Sequence, residues 1–385
     1  MILQDKKIAI VGGGPGGLTL ARLLQLNNAT VTVYERDVND KIRQQGATLD
    51  LHEESGLEAL RRAGLMNEFK AQYRPHAGKL RITDPQGNIK MDDHAIEDYQ
   101  DSRPEIDRAP LRDILVQSLQ AGTISWNSQF VTMQPQGDGW LIHFKNGSSA
   151  YADIVIAADG ANSKIRPYIT SIQPVYSGIT IVEGNLYNAR AHAPKLWDLV
   201  KGGKLFALGN EQSLILSTKG DGSLSFYTGC KVPENWVTVS GIDFNNKTSV
   251  HHWFSHAFGN WDAIWQEVFA GDDNWFVPRP QYHFPLDQQW EALPNLTMIG
   301  DAAHRMPPYA GEGVNMAMQD AFELTACLTN NMFTDTQSAI AAYERNMLQR
   351  AAAVTNDTLI STTLIHAPEG LHQLLRVFSE MEEQA

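Results

Sequence analysis

Two glycine-rich stretches at opposite ends of the chain, "VGGGPGG" at 11–17 and "GDAAHRMPPYAGEGVN" at 300–315, hold residues that could cradle an extended anionic ligand. In the first, Gly12, Gly14 and Gly17 give G-x-G-x-x-G, and an acid, Glu35, follows near the ~20-residue spacing of dinucleotide sites. Gly12 permits a tight turn, Gly14 lets a pyrophosphate approach the backbone, and Gly17 lets a helix lie close to the preceding strand. The free N–H groups of that helix would face phosphates, and Glu35 can accept from ribose hydroxyls. This motif alone does not choose between NAD(P) and FAD. In the second stretch Asp301 ends a strand, and Gly311 and Gly313 precede a helix that begins near Val314 and Asn315. A helix N-terminus there suits a group that becomes negative during reaction, as a reduced flavin does. Two such turns favour FAD over NAD as the resident cofactor.

Other polar residues carry less. "ADG" at 158–160 places Asp159 at a strand end, with Ser163 and Arg166 expected on the first turn of a helix. His304 in "GDAAH" has the chemistry of a general base, yet its place in the motif points to packing beside the flavin loop. His252 and His256 are four apart on an expected helix, but no third ligand, H-E-x-x-H or CxxC accompanies them, so no metal site is expected.

These residues need a scaffold. "KKIAIVGGGPGGLTLARLLQLNNATVTVYER" reads as strand, glycine turn, helix and strand, with Ile8–Val11 apolar throughout, as in a central parallel strand. Ile154–Ala158 and Leu296–Ile299 read as further strands, and Val314, Ala317, Met318, Ala321, Leu324 and Leu328 mark one face of a helix. Residues 172–285 alternate in the manner of an antiparallel sheet with one face over a cavity, and residues 337–382 read as one or two long helices. The fold class is α/β, with a discontinuous Rossmann-like FAD-binding domain (1–75, 100–171 and 286–335), an antiparallel-sheet substrate domain (76–99 and 172–285) and a C-terminal helical segment (336–385).

Composition narrows the function classes. The net charge of −13 argues against nucleic acid or an anionic membrane as partner. Two cysteines, Cys230 and Cys327, make no CxxC pair, which fits a reducing cytoplasm. No signal-peptide pattern and no apolar run long enough for a span is read. A monomer is expected, with a small molecule as partner.

Together, the three stretches resemble the FAD-dependent aromatic hydroxylases of the para-hydroxybenzoate hydroxylase type, the class A flavoprotein monooxygenases, in motif order and spacing. A narrower resemblance, carried by "GATLDLHEESGLEAL", "EIDRAPLRDIL", "MIGDAAHRMPPYAGEGVN" and "AAYERNM", is to the TetX-like tetracycline-inactivating monooxygenases. It implies that Gly12, Gly14, Gly17, Glu35, Arg36, Asp50, Arg108 and Asp301 contact FAD, and that Gly311–Asn315 face the isoalloxazine. Arg43 would contact NADPH or flavin, Asp159 would serve both nucleotides, and Arg112 would be structural. The implied chemistry is flavin-borne and needs no catalytic side chain: NADPH reduces FAD, O2 adds, and a flavin C4a-hydroperoxide hydroxylates an aromatic or polycyclic phenolic substrate. In the substrate region the register places Glu183, Lys204 and Ser225 where tetracycline-degrading members carry an amide, a guanidinium and an imidazole. Phe206, Ile215, Pro308 and Tyr309 are candidate apolar walls. A flavin reductase or dehydrogenase on the same fold, and a non-redox binding protein, remain the alternatives.

Overall fold

The computed structural model describes residues 2–40, 46–97 and 99–382. Three sheets of three or more strands organise it. The first is a five-stranded parallel sheet in the order Leu296–Met298, Ile154–Ala157, Lys7–Val11, Thr30–Tyr34 and Ile124–Ser125. Ile8–Val11, Ile154–Ala157 and Leu296–Met298 are buried throughout, as expected of apolar runs covered on both faces. The three strands that precede the sequence motifs are adjacent in it. Gly12, Asp159 and Asp301 therefore emerge side by side at one carboxyl edge, although they are far apart in sequence. A small antiparallel sheet of Phe130–Gln136, Gly139–Phe144 and Ser149–Ala152 packs nearby.

The third sheet has seven strands: Trp275–His283, Val175–Leu186, Leu224–Lys231, Gln212–Thr218, Lys204–Gly209, Leu80–Thr83 and Ile89–Asp92. One pair departs from antiparallel pairing. Lys204–Gly209 runs parallel to Leu80–Thr83, because the 80–92 hairpin joins from an earlier part of the chain. Alternation sorts the faces. Val182, Leu205, Ala207, Leu214, Leu216, Phe226 and Phe276 point to a core with Phe254, Phe258, Trp265 and Phe269. The other face carries the candidate substrate residues.

The helix Gly313–Thr329 lies tightly on the glycine-turn helix Pro15–Leu26. A Cβ on Gly16 would sit 2.8 Å from the Ala317 carbonyl, and one on Gly300 would sit 3.0 Å from the Ala317 Cβ. The helix Thr336–Ile365, about 45 Å long at 1.5 Å per residue, spans both main sheets. Its Tyr343 donates to the Met298 carbonyl (3.1 Å), and His366 beyond its end meets Ser213 of the seven-stranded sheet (3.1 Å). Asp335 caps its start through the Ser338 N–H at 2.8 Å. A second helix, Gly370–Glu382, follows. Among the described residues no helix is long and apolar enough to cross a membrane.

Candidate functional site

The parallel-sheet edge forms a cleft built from backbone. Gly12 has φ 116°, and a Cβ there would lie 2.1 Å from the Ala158 carbonyl, so the first turn rests on the Asp159 loop. A Cβ on Gly17 would lie 2.2 Å from the Gly12 carbonyl. Gly14 differs: nothing lies within 4 Å of a Cβ built on it. The first two glycines are needed by the protein's own packing, whereas the space over Gly14 is open to a ligand. Glu35 is 2% exposed and braces the turn, its oxygens accepting from the Gly13 N–H at 2.5 Å and the Asp37 N–H at 2.9 Å. Its remaining lone pairs are the ones a ribose would reach. Asp159 accepts from the Lys164 N–H at 2.8 Å, but its Oδ1 is buried with no partner. Such an orphan acceptor at a strand end is what a missing hydroxyl or N–H donor would satisfy.

Asp301 begins the short helix Asp301–His304 after Gly300, whose φ of 60° only glycine adopts without cost. Its side chain is solvent-accessible yet set deep in the protein, as on the floor of a cleft. The surrounding protein raises its carboxyl above the ordinary value, against the pull of His304, Arg305 and Arg108. Gly313 faces it, with a built Cβ 3.9 Å from Asp301 Oδ1. The set of open glycine, orphan carboxylate oxygen and accessible acid fits an extended nucleotide cofactor such as FAD.

Asp50 lies against the second glycine turn, both its oxygens 3.0 Å from a Cβ built on Gly311. Burial pushes its carboxyl up, but His52 (3.2 Å) and Lys204 (3.9 Å) outweigh this and hold it below the ordinary value. Asn315 is fully buried and spends its amide on the scaffold: it accepts from the His52 N–H and donates to the Asp50 and Gly311 carbonyls. Val314 is half-buried beside it. Arg108 is exposed, folds over Gly46 and donates to the Ala47 carbonyl at 3.0 Å; Arg36 is exposed near the end of its strand. Arg43 lies outside the described residues. Arg112 clamps the 37–40 segment through the Asp40 carbonyl and the Asp37 carboxylate.

One expectation changes. Ser163 and Arg166 do not open an α-helix; a single 3-10 turn, Arg166–Tyr168, stands there. Pro167 removes a backbone donor, and the Arg166 guanidinium turns inward to the Ala302 and Ala303 carbonyls and over the Phe284 ring. The residue that organises the second motif was not singled out at all. Asp320, fully buried, accepts from the Gly300 N–H (2.7 Å), His304 Nε2 (2.6 Å) and Arg350 Nη2 (2.6 Å). Burial opposes charge on both partners of the His304–Asp320 pair, yet their mutual attraction wins, raising the imidazole and lowering the carboxyl. His304 is thus tied up behind the cleft rather than poised as a base. The available signal was an acid among apolar positions of an amphipathic helix, where only a buried partner makes it tolerable.

The seven-stranded sheet shows the cleft a face whose residues align by register. One row is Phe206, Ile215, Tyr227 and Glu183; the next is Lys204, Ser217, Ser225 and Asn185. All five strand positions singled out in the sequence therefore share one face. Phe206 and Ile215 are half-buried, and Ser225 is 2% exposed with a weak 3.4 Å bond to the Ser217 carbonyl. Glu183 is paired with Arg279, and its Oε1 is buried without a partner. Lys204 is paired with buried Glu105, a residue missed in the sequence because its two-residue strand has no pattern. Burial works against the Lys204 ammonium, but Glu105 and Asp50 outweigh it; at Glu105 burial wins and raises the carboxyl. Tyr227 accepts from the Ala47 N–H at 3.0 Å, joining the sheet face to the cleft. Pro308 is exposed and Tyr309 half-buried on the loop that leads to Gly311. Among the described residues, no group of three His, Cys, Asp or Glu could hold a metal ion.

A family model described as an FAD binding domain matches residues 5–257 and 288–358. The monooxygenase asqM of Emericella nidulans is 28% identical, with 90% of this chain and 93% of that protein covered. The 3-amino-4-hydroxybenzoate 2-monooxygenase PtmB3 of Streptomyces platensis is 27% identical, with 96% and 91% covered. The crystal structure of the tetracycline destructase Tet(55) shares the fold, with a TM-score of 0.75, 18% identity, and 94% of this chain and 90% of that one covered. An open glycine turn, an accessible acid at the same sheet edge and this family match agree, and the chain belongs to the FAD-binding-domain family, as a flavoprotein monooxygenase.

Proposed function

We propose that the chain hydroxylates an aromatic or polycyclic phenolic substrate, with NAD(P)H and O2 as co-substrates, acting as a cytoplasmic monomer. The observation that carries this is the sheet face: Lys204, Phe206, Ile215, Ser225 and Glu183 lie in adjoining rows, Asp50 stands between Lys204 and Gly311, and Tyr309 meets the sheet at Gly229. In this reading 1–75, 100–171 and 286–335 form the FAD-binding domain, 76–99 and 172–285 the substrate domain, and 336–385 joins them.

Bound FAD would supply the redox chemistry, taking electrons from NAD(P)H and activating O2. The chain binds, orients and shields. Gly12, Gly14 and Gly17 with the helix Pro15–Leu26 take the pyrophosphate; Glu35 and Asp301 take ribose and ribityl hydroxyls; Arg36, Arg43, Asp50 and Arg108 flank the cofactor. Asp159 keeps one oxygen without a protein partner for a nucleotide donor, and a cavity of about 200 Å³ lined by Asn162, Ser163, Arg166, Phe284 and Arg305 is where NAD(P)H would approach. Gly311, Gly313, Val314 and Asn315 shape the floor beneath the reacting ring. Lys204 donates to a carbonyl or phenolate oxygen of the substrate, Glu183 and Ser225 hold further polar groups, and Phe206, Ile215, Pro308 and Tyr309 exclude water. Excluding water strengthens each of these polar contacts.

Tetracycline inactivation is the narrower form of the proposal. Lys204 offers a compact ammonium where a guanidinium would form a planar fork, so oxygen acceptors should be held at a single point. The test is NADPH oxidation by the FAD-loaded protein against phenols, polyketides and tetracyclines, with isotopic O2 traced into product. Incorporation of one oxygen atom supports the reading. Substrate conversion without label points to a reductase or dehydrogenase, and a purified protein that retains no yellow colour once added FAD has been washed away overturns both.

A further inference from the structure

His366 follows the helix Thr336–Ile365, is fully buried, and has no part in the roles assigned so far. Its Nδ1 lies 2.8 Å from the Thr362 carbonyl. A carbonyl only accepts, so Nδ1 carries the proton. Burial pushes the imidazole down to about 4, so near neutral pH the ring is uncharged and Nε2 is bare. Two hydroxyls converge on that nitrogen, Ser213 Oγ at 3.1 Å and Tyr309 Oη at 3.4 Å. Nε2 has one in-plane lone pair, so it accepts fully from only one of them, and the hydrogen bond between Tyr309 and Ser213 closes the cluster. The Tyr309 ring meets the imidazole edge-on, with centroids 5.1 Å apart and planes at 76°.

The backbone makes room for this cluster. A Cβ on Gly229 would lie 2.3 Å from Ser213 Oγ, 2.4 Å from His366 Nε2 and 2.5 Å from Tyr309 Oη, so a side chain there would displace all three. Behind the cluster, His366 lies beside a cavity of about 410 Å³ with Ile179, Val232, Thr362 and Thr363. Its hydrogen bonds to Thr362 and Ser213 fix its orientation. In front, Tyr309 stands two residues before Gly311. Ser213 and Gly229 are register partners one step along the sheet from Ile215 and Tyr227, at the end away from Lys204. That end lies about 13 Å from the Lys204 row, at roughly 3.3 Å per residue over four residues.

We propose that His366 is a positioning residue for the reaction: by accepting a hydrogen bond from the linked Tyr309 and Ser213 hydroxyls it pins the Tyr309 ring as the end wall of the substrate cavity. The inference rests on the reading that this cavity takes the substrate. It makes the C-terminal segment part of the site through one hydrogen-bond acceptor.

The test has two arms. In the first, nitrogen NMR of the FAD-loaded protein reads the His366 tautomer, assigned by the signal lost in His366→Gln. A protonated Nδ1 and bare Nε2 at neutral pH, with the Nε2 resonance shifted in Tyr309→Phe, is expected. A protonated Nε2, or no response to Tyr309→Phe, overturns the proposal whatever the substrate is. In the second arm, tetracycline and 3-amino-4-hydroxybenzoate serve as probes for His366→Leu, Tyr309→Phe and the double variant. Each single change should raise KM roughly tenfold, the worth of one hydrogen bond, with kcat less affected. The double should be no worse than either single, because both remove the same contact. His366→Gln, whose amide oxygen can accept in place of Nε2, should recover most of the loss. Multiplying effects in the double variant, or a glutamine no better than leucine, overturn the proposal. If neither probe turns over in the wild type, the substrate reading is at fault, and the nitrogen spectrum still decides whether His366 holds Tyr309.

Discussion

The cofactor cleft and the proposed substrate face of the sheet are made in different ways. The cleft is a backbone construction: its key positions are glycines, its acids are braced by N–H groups, and each motif is contiguous in sequence. The sheet face is a side-chain construction, in which five positions from four strands meet only through register, and its charges are matched in pairs, Lys204 with Glu105 and Glu183 with Arg279. A ligand-binding surface can therefore be conserved in shape by its backbone while its neighbour changes chemistry by single substitutions. The same difference predicts where mutations act on stability and where they act on binding.

The largest expected effect lies behind the cleft. Asp320→Ala strips buried His304 and the Gly300 N–H of their partner and leaves Arg350 with Glu323 alone, and should cost about 3–5 kcal/mol in chemical unfolding. Its pH dependence follows from the two shifts. The Asp320 carboxyl is lowered, so its contribution is present above the ordinary 3.8 and is lost as pH falls through the lowered value. The His304 imidazole is raised, so its contribution is present below the ordinary 6.5 and is lost as pH rises through the raised value. The gap between wild type and Asp320→Ala should be widest between those two values and narrow on either side. A gap independent of pH would mean that the network is not held by charge.

On the sheet face, Lys204→Met strands the Glu105 carboxylate and should cost about 2–3 kcal/mol, less than at Asp320 because Lys204 keeps some solvent contact. The double change Lys204→Met with Glu105→Gln should recover much of that stability without recovering substrate affinity. Thermal unfolding and probe KM, measured on the same variants, separate the two outcomes.

Two glycines then sharpen the contrast within the cleft itself. Gly17→Ala forces a Cβ to within 2.2 Å of the Gly12 carbonyl and should destabilise the apoprotein by about 1–3 kcal/mol. Gly14→Ala meets no protein atom, so apoprotein stability should stay within about 0.5 kcal/mol. FAD affinity, read by flavin fluorescence on titration, should nonetheless fall by about tenfold or more, about 1.4 kcal/mol. Equal apoprotein melting losses in the two variants would mean that Gly14 guards packing rather than ligand space.

Much of the fold was legible. Apolar strands ending in glycine turns, and a helix with a 3.6-residue apolar period, are local patterns, and the structure has those strands and that helix. The register of the substrate face came through the narrower resemblance rather than from any local motif, and the structure puts all five chosen strand positions on one face. Less visible were the partners. Nothing near Asp320 announces Arg350, and nothing near Lys204 announces Glu105, because each pair joins segments distant in sequence. The helix expected after Asp159 gave way to one 3-10 turn because a tertiary demand, the inward turn of Arg166, overrode local propensity.

The sequence by itself determined what depends on neighbours along the chain: the glycine turns, their strands and helices, and the two-turn signature that favours a flavin. Tertiary structure alone decided which charges are paired, that His304 serves Asp320 rather than a substrate, and that a C-terminal histidine reaches Tyr309. The reason is physical. Backbone conformation is set by short-range sterics and hydrogen bonding, which a few consecutive residues specify. The cost of a buried charge or a bare nitrogen depends on whatever the whole fold brings within 3–4 Å of it.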